Sequence, residues 1–177
     1  MVSEENRLNP WCFMNDPQWS PDEDRPRQLE DTEGRLKGTQ WCQCGNCKQM
    51  SSLEESIFCH EFRSMDCMRE GLHCVIQHEG FQSRIHSRDF LIEILKASTR
   101  MTQQEFERIE NRCLRWACYR KFTNQVYGFL GKGHRIPVPS CVVSKIRELY
   151  PDHEGNYTGF RWYSDYATGD LQIHLNF

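Results

Sequence analysis

The sequence predicts a small α+β domain that is mostly helical, with short strands and a disordered acidic N-terminal leader. Three observations support this fold class. Apolar residues recur at helical spacing between residues 87 and 150, strand-like alternation is confined to the end of the chain, and residues 15–37 are acidic and proline-rich. A chain of 177 residues can form one modest core, and its mean hydropathy of −0.75 indicates that part of it lies outside that core.

The chain divides into three parts on composition. Residues 1–38 are predicted to be a disordered leader, because the stretch from Asn15 to Lys37 is acidic and shows no hydrophobic periodicity. Residues 39–163 are expected to form the ordered domain. Residues 164–177 are predicted to be a C-terminal tail with a possible strand.

Helix signals follow the cysteine-rich first part of the domain. In SRDFLIEILKAS, Ser87 can cap a helix whose apolar residues share one face. The longest helix is predicted from Thr102, where TQQE has a capping-box pattern, to about Val126. A third helix, SCVVSKIRELY, is predicted to be capped by Ser140 and terminated with the help of Pro151.

Two strands are predicted after these helices. NYTGFRWY, residues 156–163, alternates apolar and polar side chains. LQIHLNF, residues 171–177, follows a Gly-Asp turn and is the second expected strand.

Bulk properties exclude several classes of protein. A net charge of −3 and a pI near 6.2 argue against a general nucleic-acid-binding protein, which usually carries a basic excess. The most apolar stretch, FLIEIL, is short and contains Glu93, so no transmembrane segment is predicted. The N-terminus MVSEENRLNP lacks the apolar core of a secretory signal, and a cytoplasmic location is therefore expected.

The segment QWCQCGNCKQM, residues 40–50, contains the pattern C-x-C-x-x-C. Cys42, Cys44 and Cys47 surround Gly45, and a turn of this kind points thiolates toward a common centre. Ten cysteines in a chain without a signal peptide indicate a reducing compartment, where thiols bind metal or stay free rather than form disulfides. We interpret the segment as one corner of a zinc site.

A tetrahedral zinc site needs further ligands from elsewhere in the chain. A second C-x-x-C pair, as in a zinc ribbon or RING domain, is absent from the sequence. The remaining candidates must therefore be supplied singly, and they are Cys59, Cys67, Cys74, Cys113, Cys118 and Cys141. His60 and His73 stand beside two of them.

These candidates are not equivalent. Cys113 and Cys118 lie in the longest predicted helix and are interpreted as small apolar side chains. Cys141 comes at a helix start, where the helix dipole favours a thiolate, and is a better ligand. Two alternatives to zinc stay open: free structural thiols, and a redox pair of Cys44 and Cys47, which lacks the usual strand-before, helix-after context.

Catalytic signatures are absent from the sequence. It contains no H-E-x-x-H, G-x-S-x-G or G-x-x-x-x-G-K-[ST] pattern, so no hydrolase or P-loop enzyme is indicated.

Five segments occur in a characteristic order: WCQCGNC, the stretch around Cys74, CYRKF, IPVPSCVVSKIRELYP and GNYTGF. In this order they resemble the cytoplasmic C-terminal ballast domain family of the seventh-subtype ATP-gated P2X purinoceptor. The resemblance covers about residues 40–160. The channel part of such a receptor has no counterpart in the sequence, so we expect a free-standing member of the family.

The resemblance implies a globular α+β domain with a two-zinc cluster. Carried over position by position, the implied zinc ligands are Cys42, Cys44, Cys47, Cys59, Cys74 and Cys141. The family has adjacent cysteines where this chain reads Phe58-Cys59, so one thiolate is lost. Either His60 or Cys67 replaces it, or the second zinc is weakened or absent.

The resemblance also implies a guanine nucleotide, GDP or GTP, beside the cluster. The residues that match nucleotide contacts of the family are Arg115, Tyr119, Ile136, Val138 and Arg147. Three positions depart from the family: Asp89 replaces a histidine, Val143 an arginine and Asp152 a lysine. Losing positive groups and gaining carboxylates should weaken phosphate binding.

The leading hypothesis is a non-enzymatic, cytoplasmic zinc-binding domain that binds a guanine nucleotide. An alternative is a protein-interaction scaffold, with a protein partner still to be identified, that has lost nucleotide binding. A third hypothesis, a guanine-nucleotide hydrolase, would require a metal-bound water or a positioned base near the phosphates.

Overall fold

The computed structural model describes residues 32–98, 104, 110–128, 130 and 135–161. Its α-helices include α1 Thr32–Lys37, α2 Asp66–Arg69, α3 Glu79–Ile85, α4 Arg88–Ser98, α5 Asn111–Tyr127 and α6 Ser140–Leu149. Short 3-10 helices lie at Cys59–Glu61, Arg63–Met65 and Val75–Gln77. Within these residues the structure contains no strand, so the predicted α+β class is wrong and the described fold is helical.

The predicted strand at residues 156–163 fails where the structure describes it. Residues 156–161 are irregular, and Gly155 and Gly159 adopt left-handed φ values of 73° and 66° that interrupt an extended run. One carboxylate oxygen of Asp152 accepts hydrogen bonds from the backbone N–H groups of Glu154 and Asn156, at 3.1 and 3.2 Å, and holds a turn. The second predicted strand and the tail from residue 164 lie outside the described residues.

The helix starts agree with the sequence in one case and differ in two. The Ser87 hydroxyl accepts a hydrogen bond from the Phe90 N–H at 3.3 Å, which confirms the predicted cap of α4. A continuous helix from Thr102 is wrong, because Glu110 is extended (φ −78°, ψ 151°) and α5 begins only at Asn111. Ser140 is the first residue of α6 and not its cap, a position that Pro139 takes.

Helix α1 lies within the segment predicted to be the leader and contacts the cysteine-rich segment. The Arg35 guanidinium donates a hydrogen bond to the Ser56 carbonyl at 2.9 Å and forms a bidentate ion pair with the Glu61 carboxylate. A Glu61 oxygen also accepts from the Phe58 N–H at 2.9 Å. The arginine stacks on Trp41 at 5.4 Å, so a single buried cation joins α1 to the cysteine-rich segment. Residues 1–31 lie outside the described residues.

The core lies where α5 packs between α4 and α6. Leu91 of α4, Leu114 of α5 and Val142 of α6 are fully buried. Phe81 and Phe122 meet edge to face with ring centroids 6.0 Å apart. Because Val142 directly follows a cysteine, this packing also buries the start of α6, where that thiol lies.

Replacing Glu61 with alanine is expected to lower the free energy of unfolding by about 3 kcal/mol, because it leaves the buried Arg35 charge unpaired. The exposed fractions of the Glu61 and Arg35 side chains are 13% and 10%, so water can solvate little of the Arg35 charge once the carboxylate is removed. The measurement is the midpoint of urea unfolding of the purified protein.

The matched control is Glu33→Ala, which breaks the exposed pair between Glu33 and Lys37 at 3.5 Å. It should change stability by no more than about 0.5 kcal/mol. Equal effects of the two substitutions would show that the Arg35–Glu61 pair does not anchor α1.

Candidate metal centre and adjoining cleft

Six cysteine sulfur atoms converge beside the start of α6. One group consists of Cys44, Cys59, Cys74 and Cys141, all four buried, and the other of Cys42, Cys44 and Cys47. Within each group all sulfur atoms lie within 4.8 Å of one another. Since Cys44 belongs to both groups, the two form one continuous cluster.

The spacing of the sulfur atoms suits tetrahedral metal binding. Zn–S bonds of about 2.3 Å at tetrahedral angles place neighbouring sulfurs about 3.8 Å apart. The observed distances are 3.9 Å for Cys59–Cys74, 3.9 Å for Cys44–Cys47 and 3.5 Å for Cys42–Cys44. The donor set is entirely thiolate, which favours soft or borderline ions such as zinc over magnesium or calcium.

Each ligand reaches the cluster from a different local structure. The first three come from the turn at residues 42–47, where Gly45 has a φ of 71°. Cys59 begins a 3-10 helix, Cys74 precedes another, and Cys141 lies in the first turn of α6. Side-chain oxygens of Glu61 and Gln77 accept hydrogen bonds from backbone N–H groups at the start of these 3-10 helices and fix both cysteines.

The crowded thiols shift each other's acidity. Hydrogen bonding with Cys141 lowers the pKa of Cys44, while the interaction with Cys44 raises the pKa of Cys141. Thiolates packed this closely repel one another, because burial weakens screening by water. A cation bound between ionised thiols would remove that repulsion.

Other candidates do not join the cluster. Cys113 and Cys118 are buried in α5, and burial raises the pKa of Cys118 to about 12, as for an inert core thiol. The sulfur groups include neither His60 nor Cys67. A His60 ring nitrogen lies 3.0 Å from the His73 carbonyl, and the Phe58 ring stacks on the His60 ring at 5.4 Å.

A cleft of about 1370 Å³ lies between α5, α6 and residues 151–161, and its lining includes Val143, two residues after Cys141. All five residues predicted to contact a nucleotide line it: Arg115, Tyr119, Ile136, Val138 and Arg147. Arginines outnumber carboxylates in the lining. The arginines are Arg88, Arg112, Arg115, Arg120, Arg135, Arg147 and Arg161, and the carboxylates are Glu55, Glu110, Asp152 and Glu154.

Arg115 and Arg147 each contact a carboxylate within the cleft. The Arg115 guanidinium is 3.1 Å from Asp152 and donates to the Tyr150 carbonyl at 2.9 Å. The Arg147 guanidinium donates to Glu55 at 2.8 Å. A phosphate would therefore compete with an internal carboxylate for each arginine.

The three positions at which the resemblance implied a change of charge fall in different places. Val143 and Asp152 line the cleft, whereas Asp89 is exposed on α4 and is not part of the lining. Burial raises the pKa of Tyr119 above the ordinary value of a phenol, which is about 10.

Sequence reasoning missed Glu55 and Tyr157. The Tyr157 ring contacts both guanidinium groups, at 5.1 Å from Arg115 and 4.6 Å from Arg147. Gly159 packs against Glu55, and a side chain at that glycine would come within 2.8 Å of the carboxylate. The motif GNYTGF contains both Tyr157 and Gly159 and was the available signal, but nothing in the sequence marked Glu55.

Fold and site together define a helical, cysteine-rich domain with a candidate metal centre and an arginine-lined cleft. The family model described as the P2X purinoreceptor 7 intracellular domain matches residues 8–161, so the chain belongs to this family. The match confirms the resemblance inferred from the sequence motifs. Among the described residues, no helix is both long and apolar enough to span a bilayer.

Two curated relatives illustrate the relationship. The P2X purinoceptor 7 of Rattus norvegicus is 30% identical over 142 residues, which are 80% of this chain and 23% of the relative. The P2X purinoceptor 7 of Mus musculus is 30% identical over 128 residues, which are 69% of this chain and 20% of the relative. The chain therefore spans less than a quarter of the length of these receptors.

Proposed function

We propose that this chain is a non-enzymatic, cytoplasmic domain that binds zinc through its clustered cysteines and a guanine nucleotide in the adjoining cleft. The observation that carries the proposal is the convergence of four buried thiols from four separate segments. Buried thiols packed at tetrahedral spacing, in a domain with little regular structure around them, are typical of a structural metal site.

The first zinc would be held by Cys44, Cys59, Cys74 and Cys141, which fill a tetrahedral coordination shell. A second ion would be held by Cys42, Cys47 and the shared Cys44. Its group contains one thiolate fewer, as expected from Phe58. Bound zinc would cross-link the loop-rich segment to α6, the role that a disulfide plays in an oxidising compartment.

The nucleotide part of the proposal rests on the composition of the cleft. Its volume exceeds the roughly 300–1,000 Å³ of ordinary ligand pockets, and arginines dominate its charge. Arg115 and Arg147 would bind phosphate, since guanidinium groups donate paired hydrogen bonds to phosphate oxygens. The extended segment containing Ile136 and Val138 would lie along the base.

A second candidate function is a protein-interaction scaffold that does not bind nucleotide. The observation that favours it is the pairing of Arg115 with Asp152 and of Arg147 with Glu55. These ion pairs already neutralise the two arginines that would bind phosphate.

Native mass spectrometry of protein purified without chelators tests the proposal. We expect added mass for one or two zinc ions and for GDP or GTP, all lost under denaturing conditions. Zinc without nucleotide would favour the scaffold, and protein without metal would contradict the proposal as a whole. Release of phosphate from added GTP would contradict its non-enzymatic part.

A further inference from the structure

Ser140 lies where three segments of the metal centre meet. Its side chain is fully buried. The next residue is Cys141, its hydroxyl contacts Lys48 next to Cys47, and its backbone contacts Ile57, two residues before Cys59. One serine thus contacts or adjoins segments that contribute five of the six clustered sulfur atoms.

The Ser140 hydroxyl both accepts and donates a hydrogen bond. It accepts a hydrogen bond from the Lys48 N–H at 3.1 Å and donates one to the Lys48 carbonyl at 2.7 Å. The Ser140 N–H donates to the Ile57 carbonyl at 2.8 Å. Serine at a helix start commonly caps its own helix, but here Pro139 is the cap residue and the hydroxyl joins α6 to a distant loop.

We propose that Ser140 is a positioning residue of the metal centre, which fixes the 42–48 turn against α6 so that Cys47 and Cys141 converge on one point. The inference rests on the proposed metal binding and goes beyond it, because Ser140 is not a ligand. Residues that hold ligands in place typically contribute a factor of about 10 to 100 to metal affinity. Without the hydroxyl, two backbone groups of Lys48 lose their partner.

Cobalt(II) is a suitable probe, because thiolate ligands give it intense absorption that reports both binding and ligand geometry. We expect Ser140→Ala to bind cobalt about 10- to 100-fold more weakly than the wild type, with a changed absorption spectrum. The measurements are a competitive titration against a chromophoric chelator and the spectrum of the saturated protein, both with thiols reduced.

Ser144→Ala and Leu91→Ala are the matched controls. Ser144 is a buried serine one turn along α6, and its hydroxyl has no hydrogen-bond partner among the residues that the structure describes. Leu91 is fully buried in α4, a helix that carries none of the six cysteines, and its truncation destabilises the core alone. Both variants should keep the wild-type spectrum of the saturated protein, and Ser144→Ala should bind within about twofold of the wild-type affinity.

A second pair of variants isolates the hydroxyl. Ser140→Thr keeps it and Ser140→Val replaces it with a methyl group of similar shape, so threonine should bind cobalt about tenfold more tightly than valine. Equal binding by this pair, or a Ser140→Ala spectrum identical to that of the controls, would overturn the positioning role. A wild-type protein that takes up no cobalt would instead overturn the proposed metal site, and this inference with it.

Discussion

Removing the proposed metal is expected to unfold the cysteine-rich segment and to lower the thermal midpoint of the whole domain sharply. Residues 39–78 contain only short helices, and the buried thiols of Cys44, Cys59 and Cys74 take the place of larger core side chains. Binding of structural zinc supplies roughly 10–16 kcal/mol at neutral pH, whereas a domain is stable by only about 5–15 kcal/mol. The measurement is circular dichroism of the reduced protein, heated with and without a zinc chelator.

A matched pair of cysteine variants separates metal loss from ordinary core damage. Cys59 and Cys118 are both fully buried, but only Cys59 belongs to the sulfur cluster. Cys59→Ala should lose bound metal and unfold near room temperature, whereas Cys118→Ala should retain its metal and lose about 1 kcal/mol. An unchanged melting curve after chelation would show that the thiols are ordinary core side chains.

Cysteine spacing predicted one corner of the metal site and left its completion open. Cys42, Cys44 and Cys47 lie within six residues of one another, so their spacing alone predicts that their thiols are close together. Helical spacing set Cys113 and Cys118 aside, but spacing did not separate Cys74 from Cys67, because only the fold shows that Cys74 is buried in the cluster while Cys67 is exposed. The family resemblance supplied the assignment, and the structure brings together the six sulfur atoms that the resemblance implied.

Helix prediction worked where local chemistry determines the conformation. The Ser87 cap is an example, since its hydrogen bond joins residues three apart. Ser140 has the same local pattern, but its hydroxyl bonds to Lys48, 92 positions away in sequence. The strand expected after residue 155 failed for a similar reason. Alternating apolar and polar residues show that one side of a segment can be buried, but a strand also needs a partner strand. Here the Tyr157 ring packs instead on the guanidinium groups of Arg115 and Arg147.

The cleft shows a further limit of reasoning from single positions. The family resemblance implied that Asp152 replaces a lysine and is unfavourable for phosphate, and the structure shows that its carboxylate pairs directly with Arg115. The sequence did not mark Glu55, because only the fold brings it to Arg147. Ion pairs between distant residues determine whether these arginines are available, and a single sequence does not reveal such pairs.

Replacing Asp152 with asparagine is expected to strengthen GDP binding about tenfold, because the Arg115 guanidinium then loses the carboxylate that competes with phosphate. Asparagine keeps the side-chain oxygen that accepts from Glu154 and Asn156, so the turn should persist. The substitution also removes the Arg115–Asp152 ion pair, so the stability of the fold should fall slightly while the affinity for GDP rises. Calorimetric titration with GDP, together with a melting curve, measures both effects.

Acidification should not reproduce this effect. The backbone hydrogen bond from Glu154 is the largest cause of the lowered pKa of Asp152, and the Arg115 guanidinium lowers the pKa further. A carboxyl group whose pKa is lowered is ionised at pH 5, because this pH already lies above the ordinary carboxyl pKa near 4. Protonation of Asp152 should therefore not raise the GDP affinity at pH 5 above that at pH 7.

Two further variants determine whether Arg115 itself binds the phosphate. Glu154→Gln is the control, because it also removes a carboxylate from the cleft lining. The Glu154 carboxylate accepts a hydrogen bond from the Asn156 side chain at 3.0 Å. This substitution should change GDP affinity much less than Asp152→Asn does. Arg115→Ala should reduce affinity more than tenfold in either background. If Asp152→Asn left GDP binding unchanged while Arg115→Ala altered only stability, Arg115 would be a structural cation that fixes the 150–152 turn, and the cleft would be better explained as part of a protein-binding surface.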